Sequence, residues 1–533
     1  MRAAEEYDYI IVGSGSAGSV LANRLSAQPD LRVLVLESGG HDRNFWLKLP
    51  IGYFRTIYDP RFSRFFETEP SEGDGFRGIG WPRGRVVGGS SSINGLIFIR
   101  GQHEDFDDWQ RMGASGWAYE QVLPAFRRIE RYQGGEDRFH GRSGDMQVSD
   151  LRSANPACAA WLEAAQQFGL PFNPDFNGAS TYGVGRYQLS LGRRLRASAS
   201  AAFLRPALQR QNLTLKIKAH VTRIVIEKGS ATGVEYMQGG QRRLAHAGRE
   251  VVLAAGALQS PQLLQLSGIG PADRLRSLGI KTIVDAPEVG ENLQDHYQIR
   301  LILRLNRPLS LNDDVRNPLK LARMGFDWAV HGTGPLTVGA GQVGGGACTR
   351  YAQNGRPDIQ FNVMPLSVDK PGTPLHDYSG FTASVWQCHP ESRGTVHIGS
   401  TDPLAPPKVS PRYFAAEADR AVMIEGVRIL REIHRQSPFR ELWTEEIVPG
   451  PDQQTDAQLW EAIRTTGGTV FHASGTCRMG TDDRAVVDPQ LRVRGVEGLR
   501  VIDASVMPKI TSANTNAATL MIGQRGAEFL PVV

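Results

Sequence analysis

The chain has only four cysteines in 533 residues, and Cys158, Cys348, Cys388 and Cys477 stand far apart with no CxxC pair. That spacing argues against a disulfide framework or a thiolate zinc site and fits a reducing, cytoplasmic compartment. Also missing is any apolar run near the roughly 20 residues that span a bilayer, so membrane attachment is expected to be peripheral at most. The opening residues lack the basic start, hydrophobic stretch and cleavage site of a signal peptide. No block of like charge occurs: the net +5 is spread along the chain, with Lys and Arg usually near Asp or Glu, which leaves a nucleic-acid role without support. No repeat of fixed period is present, so a solenoid is excluded.

What is present is a length too great for one ordinary core, so two or more domains are expected. The 59 Gly and 31 Pro imply many tight turns and long irregular connections, as in a large enzyme whose loops carry function. Tyr7 to Val12 reads as a buried strand, Ser16 to Leu25 as a helix and Arg32 to Glu37 as a second buried strand, a βαβ beginning. Further buried strands are expected at Glu250 to Ala255 and Leu499 to Asp503, so one α/β domain draws on distant segments. Between them, Gln298 to Leu305, Gln342 to Arg350, Asp358 to Val363 and Gly380 to Cys388 are strand-like, with helices at Ala416 to His434 and Asp456 to Thr465. These predict a mixed α+β second domain with a largely antiparallel sheet, set over the carboxyl ends of the parallel strands so that a cleft lies between.

Gly13, Gly15 and Gly18 form G-x-G-x-x-G between the first strand and helix. The first allows the turn, the second lets backbone approach a pyrophosphate and the third lets helix pack on strand; Ser16 and Ala17 open the helix whose N-terminus faces the phosphates. Glu37, followed by Ser38, ends the second strand, where a carboxylate can accept hydrogen bonds from a ribose and would repel the extra phosphate of NADP. A bare glycine triplet is as often an ordinary turn; strand, helix and acid together favour a dinucleotide without separating NAD from FAD.

The run Pro82-Arg83-Gly84-Arg85-Val86-Val87-Gly88-Gly89-Ser90-Ser91-Ser92-Ile93-Asn94-Gly95 closely resembles the first signature of the glucose-methanol-choline (GMC) oxidoreductases. Ala255 and the run from Gly256 to Leu264 resemble the second, and Gly290 to His296 and His472 to Ala518 are similar to later family segments, so the resemblance spans the chain in order. It implies an FAD-binding Rossmann-like domain built from 1–155, 198–299 and 468–533, with a substrate-binding domain from 156–197 and 300–467. It also implies flavin contacts from Arg83, Val87, Gly89, Ser90, Asn94, Gly95, Asp503 and Ala504, and a backbone contact to adenine at Val221. Ile93 stands where covalently flavinylated relatives carry histidine, so FAD is expected to be non-covalent.

By the same resemblance His472 is the base that takes the alcohol proton while the α-carbon hydride moves to flavin N5. Imidazole titrates near neutral pH and suits that task. Asn514 matches its partner, an amide able to donate to the substrate oxygen, and Asn516, at the start of the helix Thr515 to Leu530, fits a flavin-facing role. Plain helix capping is the alternative for both. Asp503 could otherwise be a simple turn residue. Phe471 and Trp386 are candidates for the substrate pocket wall; His296 reads as structural or flavin-proximal. No acidic cluster argues for a cationic substrate. The expected activity is an FAD-dependent alcohol dehydrogenase passing electrons to a quinone, another carrier or oxygen. An oxygen-reducing oxidase, a hydroxynitrile-lyase-like protein and a non-catalytic flavin binder are the alternatives.

Overall fold

The structure is a computed structural model describing residues 5–70, 75–153, 155–370 and 372–531. Its first sheet grows from the βαβ beginning. The strand Glu5–Val12 pairs in parallel with Val33–Leu36 on one side and with the long strand Gln241–Leu253 on the other. Leu213–Lys216 and Leu499–Val501 extend the parallel set outward on its two flanks. The segments 9–12, 33–36 and 251–253 of these strands are buried and rich in Val, Leu and Ile because they are covered on both faces, the pattern parallel sheets require. Ala219–Glu227 and Ser230–Gln238 add an antiparallel meander onto the first half of Gln241–Leu253.

The helix Ser16–Leu25 lies against this sheet, and the last helix, Thr515–Phe529, packs on it closely enough that a β-carbon at Gly523 would come 2.9 Å from the Ala17 Cα. Residues at opposite ends of the chain therefore meet on one side of one sheet.

The second sheet runs Val343–Ala347, Ile359–Met364, Gly380–Gln387, Tyr297–Leu305 and Trp443–Val448 in spatial order, with Gly468–Thr469 also paired to Tyr297–Leu305, and every pairing is antiparallel. The helices Pro156–Gln167 and Glu417–His434 cover one face, where Trp161 meets Phe361 edge-on and Gly426 lets the longer helix approach Val385. The other face looks toward the first sheet. Each sheet has its own apolar cluster, and the cavity described below lies between them. No helix among the described residues is long and apolar enough to cross a membrane.

Candidate active site

The cavity encloses about 2130 Å³ of empty space, mouth included, and is lined from both sheets. One end is the glycine turn. Gly13 has φ +103°, which disfavours any side chain, and a β-carbon there would come 2.5 Å from the Ala254 carbonyl. At Gly18 it would come 2.0 Å from the Gly13 carbonyl, whereas at Gly15 it would meet no atom within 4 Å and point into the cavity. The three glycines thus serve turn, packing and open approach separately. A β-carbon on Gly89 would sit 2.7 Å from the Gly15 Cα, so the loop Gly88 to Ser92 rests directly on the turn.

Glu37 lines the cavity and is anchored: its carboxylate accepts from Ser14 Oγ at 2.7 Å, Ser14 N at 3.1 Å and Gly39 N at 2.7 Å. Burial pushes its pKa up, and those three donors oppose the shift. Ser16, Ala17, Ser38, Ser90, Gly95, Val221, Ala255, Gly256, Ala504 and Ile93 also line the cavity. Asn94 lines it too, with its Oδ1 accepting from Arg196 Nη1 at 2.7 Å, a buried arginine that carried no sequence signal. Asp503 accepts from Gly256 N at 2.8 Å, Ser260 Oγ at 2.6 Å and Ser505 N at 2.8 Å, so it ties two cavity-lining loops together while capping its own turn. Asn516 accepts from Ser16 Oγ at 2.7 Å.

Two expected contacts lie outside the cavity wall. Val87 is buried under the loop and bonded through its backbone to Gly40 and Ser92. Trp386, expected in the substrate pocket wall, is fully buried behind His472, with ring centroids 6.5 Å apart. Its register with Gln298 places it on the cavity-facing side of the antiparallel sheet, but its ring is packed edge-on against the His472 imidazole, and it is His472 that presents itself to the cavity.

His472 faces the cavity from the short segment after Gly468–Thr469. Phe471, which also lines the cavity, has φ +68°, an unfavourable conformation for a non-glycine residue. It is held from both sides: its N–H donates to Thr469 Oγ1 at 2.7 Å and its carbonyl accepts from Arg83 Nη1 at 2.5 Å. Asp295 accepts from the His472 backbone N–H at 2.7 Å and from the hydroxyls of Thr469 and Tyr413; burial raises its pKa to about 6.

The imidazole belongs to a directional relay that sequence reasoning missed. His296 Nε2 is 3.1 Å from the Cys388 carbonyl, which can only accept, so Nε2 carries the proton. Burial pushes the His296 pKa down to about 4, so the ring is neutral and its Nδ1 is an acceptor. His472 Nδ1 lies 2.9 Å from that nitrogen and must donate to it. His472 Nε2 is left unprotonated, and its lone pair accepts from Asn514 Nδ2 at 3.1 Å. Burial first, then the neighbouring His296 imidazole and Arg83 guanidinium, hold the His472 pKa well below its ordinary value, so the ring stays neutral at neutral pH. Asn514 occupies the N-cap position of the last helix, yet its side chain makes no capping bond; Nδ2 turns to His472 and Oδ1 has no partner among the described residues. A hydroxyl placed here can give its proton to Nε2 while accepting from Nδ2.

Residues 7–298 and 390–523 each match the pattern of a GMC oxidoreductase. The chain is 39% identical over 535 residues to mitochondrial choline dehydrogenase from Homo sapiens, covering 99% of this chain and 90% of that protein. It is 38% identical to alcohol dehydrogenase [acceptor] from Pseudomonas putida, covering 98% and 95%. Among solved structures it is similar to pyridoxine 4-oxidase from Mesorbium loti, with 29% identity, a TM-score of 0.88 and 98% of each chain covered.

Proposed function

Because the chain belongs to the GMC oxidoreductase family, we propose that it is an FAD-dependent dehydrogenase that oxidises an alcohol to an aldehyde or ketone and delivers the electrons to an acceptor other than NAD. The observation that carries this reading is the unprotonated His472 Nε2, fixed as an acceptor by the relay from Cys388 through His296 and bonded at the cavity wall to Asn514 Nδ2, a contact that a substrate hydroxyl can open by inserting between the two. The mainly parallel sheet is read as a Rossmann-like FAD domain formed by 1–155, 198–299 and 468–533. The antiparallel sheet is read as the substrate domain, formed by 156–197 and 300–467.

The cavity suits FAD on its own chemistry. β-Carbons at Gly15 and Gly256 would project into open space, leaving bare backbone along the path of a pyrophosphate. Gly13, Gly15, Ser16, Ala17, Glu37, Ser38 and Val221 would hold the adenosine and phosphates. Arg83, Gly89, Ser90, Asn94, Gly95, Asp503, Ala504 and Asn516 would hold the remainder, non-covalently because Ile93 offers no bonding atom. Bound FAD supplies the acceptor for the hydride that leaves the carbinol carbon.

The chain's own residues then manage the proton. The substrate hydroxyl donates to His472 Nε2 and accepts from Asn514 Nδ2, and this pair orients the carbinol. The hydroxyl proton passes to Nε2, while Nδ1 keeps its proton against His296 and the ring cannot turn. The Asp295 carboxylate on the His472 backbone offsets the positive charge that develops. Phe471, Ile57 and Tyr53 wall the site with apolar surface that excludes water.

Anaerobic mixing of the flavin-loaded protein with a panel of primary alcohols should bleach the flavin absorbance. His472→Ala should retain the flavin and slow bleaching about a thousandfold. Unchanged absorbance across aliphatic, aryl and sugar alcohols would sink this reading.

A further inference from the structure

The far end of the cavity holds a charge that proton transfer does not require. Along the strand Tyr297–Leu305, Tyr297, Ile299, Leu301 and Leu303 belong to the apolar cluster beneath the sheet, so Gln298 and Arg300 face the opposite side, and both line the cavity. Arg300 lies in register with Ser384, and Ser384 with Asn362, which forms a polar floor.

The Arg300 guanidinium has no hydrogen bond or ion pair among the described residues. Other buried arginines are engaged: Arg196 donates to the carbonyls of Asn94, Ser91 and Pro50, and Arg431 pairs with Glu446. Protein surrounds Arg300, and its remaining exposure is to the cavity. The ionisable groups that bear on it are the hydroxyls of Tyr53 and Tyr58, and burial keeps both protonated. Two carboxylates line the cavity, Glu37 and Asp503, and each is already bonded to loops of the parallel sheet. None lines the Arg300 end among the described residues. A buried cation without a partner is costly, and a guanidinium is always charged, so such a group is suited to a ligand that brings the missing charge.

We propose that Arg300 is a specificity-determining residue that pairs with an anionic group, a carboxylate, on the alcohol whose hydroxyl meets His472. The proposal rests on the alcohol-oxidising reading above. The planar fork matches a carboxylate with two parallel hydrogen bonds. Arg300 is four residues beyond His296, roughly 13 Å of extended chain, so the charge and the reacting carbinol are separated by a spacer. The substrate class is therefore a hydroxymethyl-aryl or ω-hydroxy acid rather than a 2-hydroxy acid, and an alcohol with a quaternary ammonium group is disfavoured.

The test uses the flavin-loaded enzyme and three alcohols of one shape: 4-(hydroxymethyl)benzoate, 4-(hydroxymethyl)benzamide and 4-(trimethylammonio)benzyl alcohol. Their kcat/KM values are measured together with the dissociation constants of unreactive 4-methylbenzoate and 4-methylbenzamide, read from the flavin spectrum. The carboxylate should be preferred over the amide by about 10- to 100-fold in both measurements, and the cation should be the poorest. Arg300→Gln should bring the carboxylate-to-amide ratio to within about threefold of one, and Arg300→Lys should keep part of it, because charge remains without the fork. A wild-type preference for the amide or the cation, or a ratio unchanged in Arg300→Gln, would overturn the proposal. Should Arg300→Gln fail to fold, the wild-type ratios and Arg300→Lys decide. If no alcohol, including neutral hexanol and benzyl alcohol, reduces the flavin, the alcohol-oxidising reading falls, while the ligand-binding ratio still reports on Arg300.

Discussion

Replacing His296 separates a positioning role from a merely structural one. In the relay His296 accepts from His472 Nδ1 at 2.9 Å and donates to the Cys388 carbonyl at 3.1 Å. His296→Leu removes both partners, so the Cys388 carbonyl is left unpaired and His472 is free to carry its proton on Nε2, the wrong atom for a base. Leaving a buried polar partner unpaired costs about 1–3 kcal/mol, which converts to a loss of roughly 5- to 150-fold in the rate of anaerobic flavin reduction. His296→Gln offers an amide N–H to Cys388 and an amide oxygen to His472, restoring the direction of both bonds. It should stay within about tenfold of wild type, at the milder end of that same range. Stopped-flow bleaching of the bound flavin at saturating alcohol, with flavin content checked for each variant, measures both. A leucine variant as fast as wild type, or a glutamine variant no faster than leucine, would refute the relay.

Three further outcomes follow from the same geometry. Gly15→Val should fold with the thermal midpoint of flavin-free wild type yet purify without flavin absorbance, because its side chain enters open cavity, whereas Gly18→Ala should lose about 2–4 kcal/mol of stability in urea, since its β-carbon runs into the Gly13 carbonyl. The rate of flavin reduction should be flat from pH 6.5 to 9 and fall only in acid, because His472 must be unprotonated and its pKa is depressed; a fall beginning above pH 7 would contradict this. Stability should depend on buried histidines as well: burial holds His296 at about 4 and His434, at the end of the helix Glu417–His434, at about 3, so both bind protons less readily folded than unfolded, where the value is about 6.5. The unfolded chain then takes up protons first, so their contribution is complete above pH 6.5 and shrinks by about 1.4 kcal/mol per pH unit per histidine as pH falls toward 4. His434→Leu should make the measured slope shallower by one such share.

The parts of the fold governed by local pattern were legible in the residues. The helix Ser16–Leu25 has the bounds its periodicity predicts, and the strands at Tyr297–Leu305, Ile359–Met364 and Gly380–Gln387 fall within a residue of expectation. The expected strand Gln342 to Arg350 shortens to Val343–Ala347, because pairing with Ile359–Met364 ends where the chain turns back. The meander from Ala219 to Gln238 is the least legible part, since its buried and exposed positions alternate irregularly across two register shifts. In the site, lining positions carried by motifs were readable, whereas partners joined only by folding were not. Nothing in the sequence ties Arg196 to Asn94 or His296 to the Cys388 carbonyl, separated by 102 and 92 residues. Trp386 shows the limit from the other side: an aromatic on a strand beside the site reads as a wall residue, and only the fold sets the His472 imidazole against its ring and leaves it fully buried.

The bond from Ser16 to Asn516 joins positions 500 residues apart, and the helices that carry them pack together. During synthesis the glycine turn emerges first and must wait for nearly the whole polypeptide before the other wall of its cavity exists. A flavin in this cavity would bear on both segments at once, so its binding should fasten two stretches of sequence that share no covalent neighbourhood, and the flavin-loaded protein should resist proteolysis at both helices together where the flavin-free protein does not.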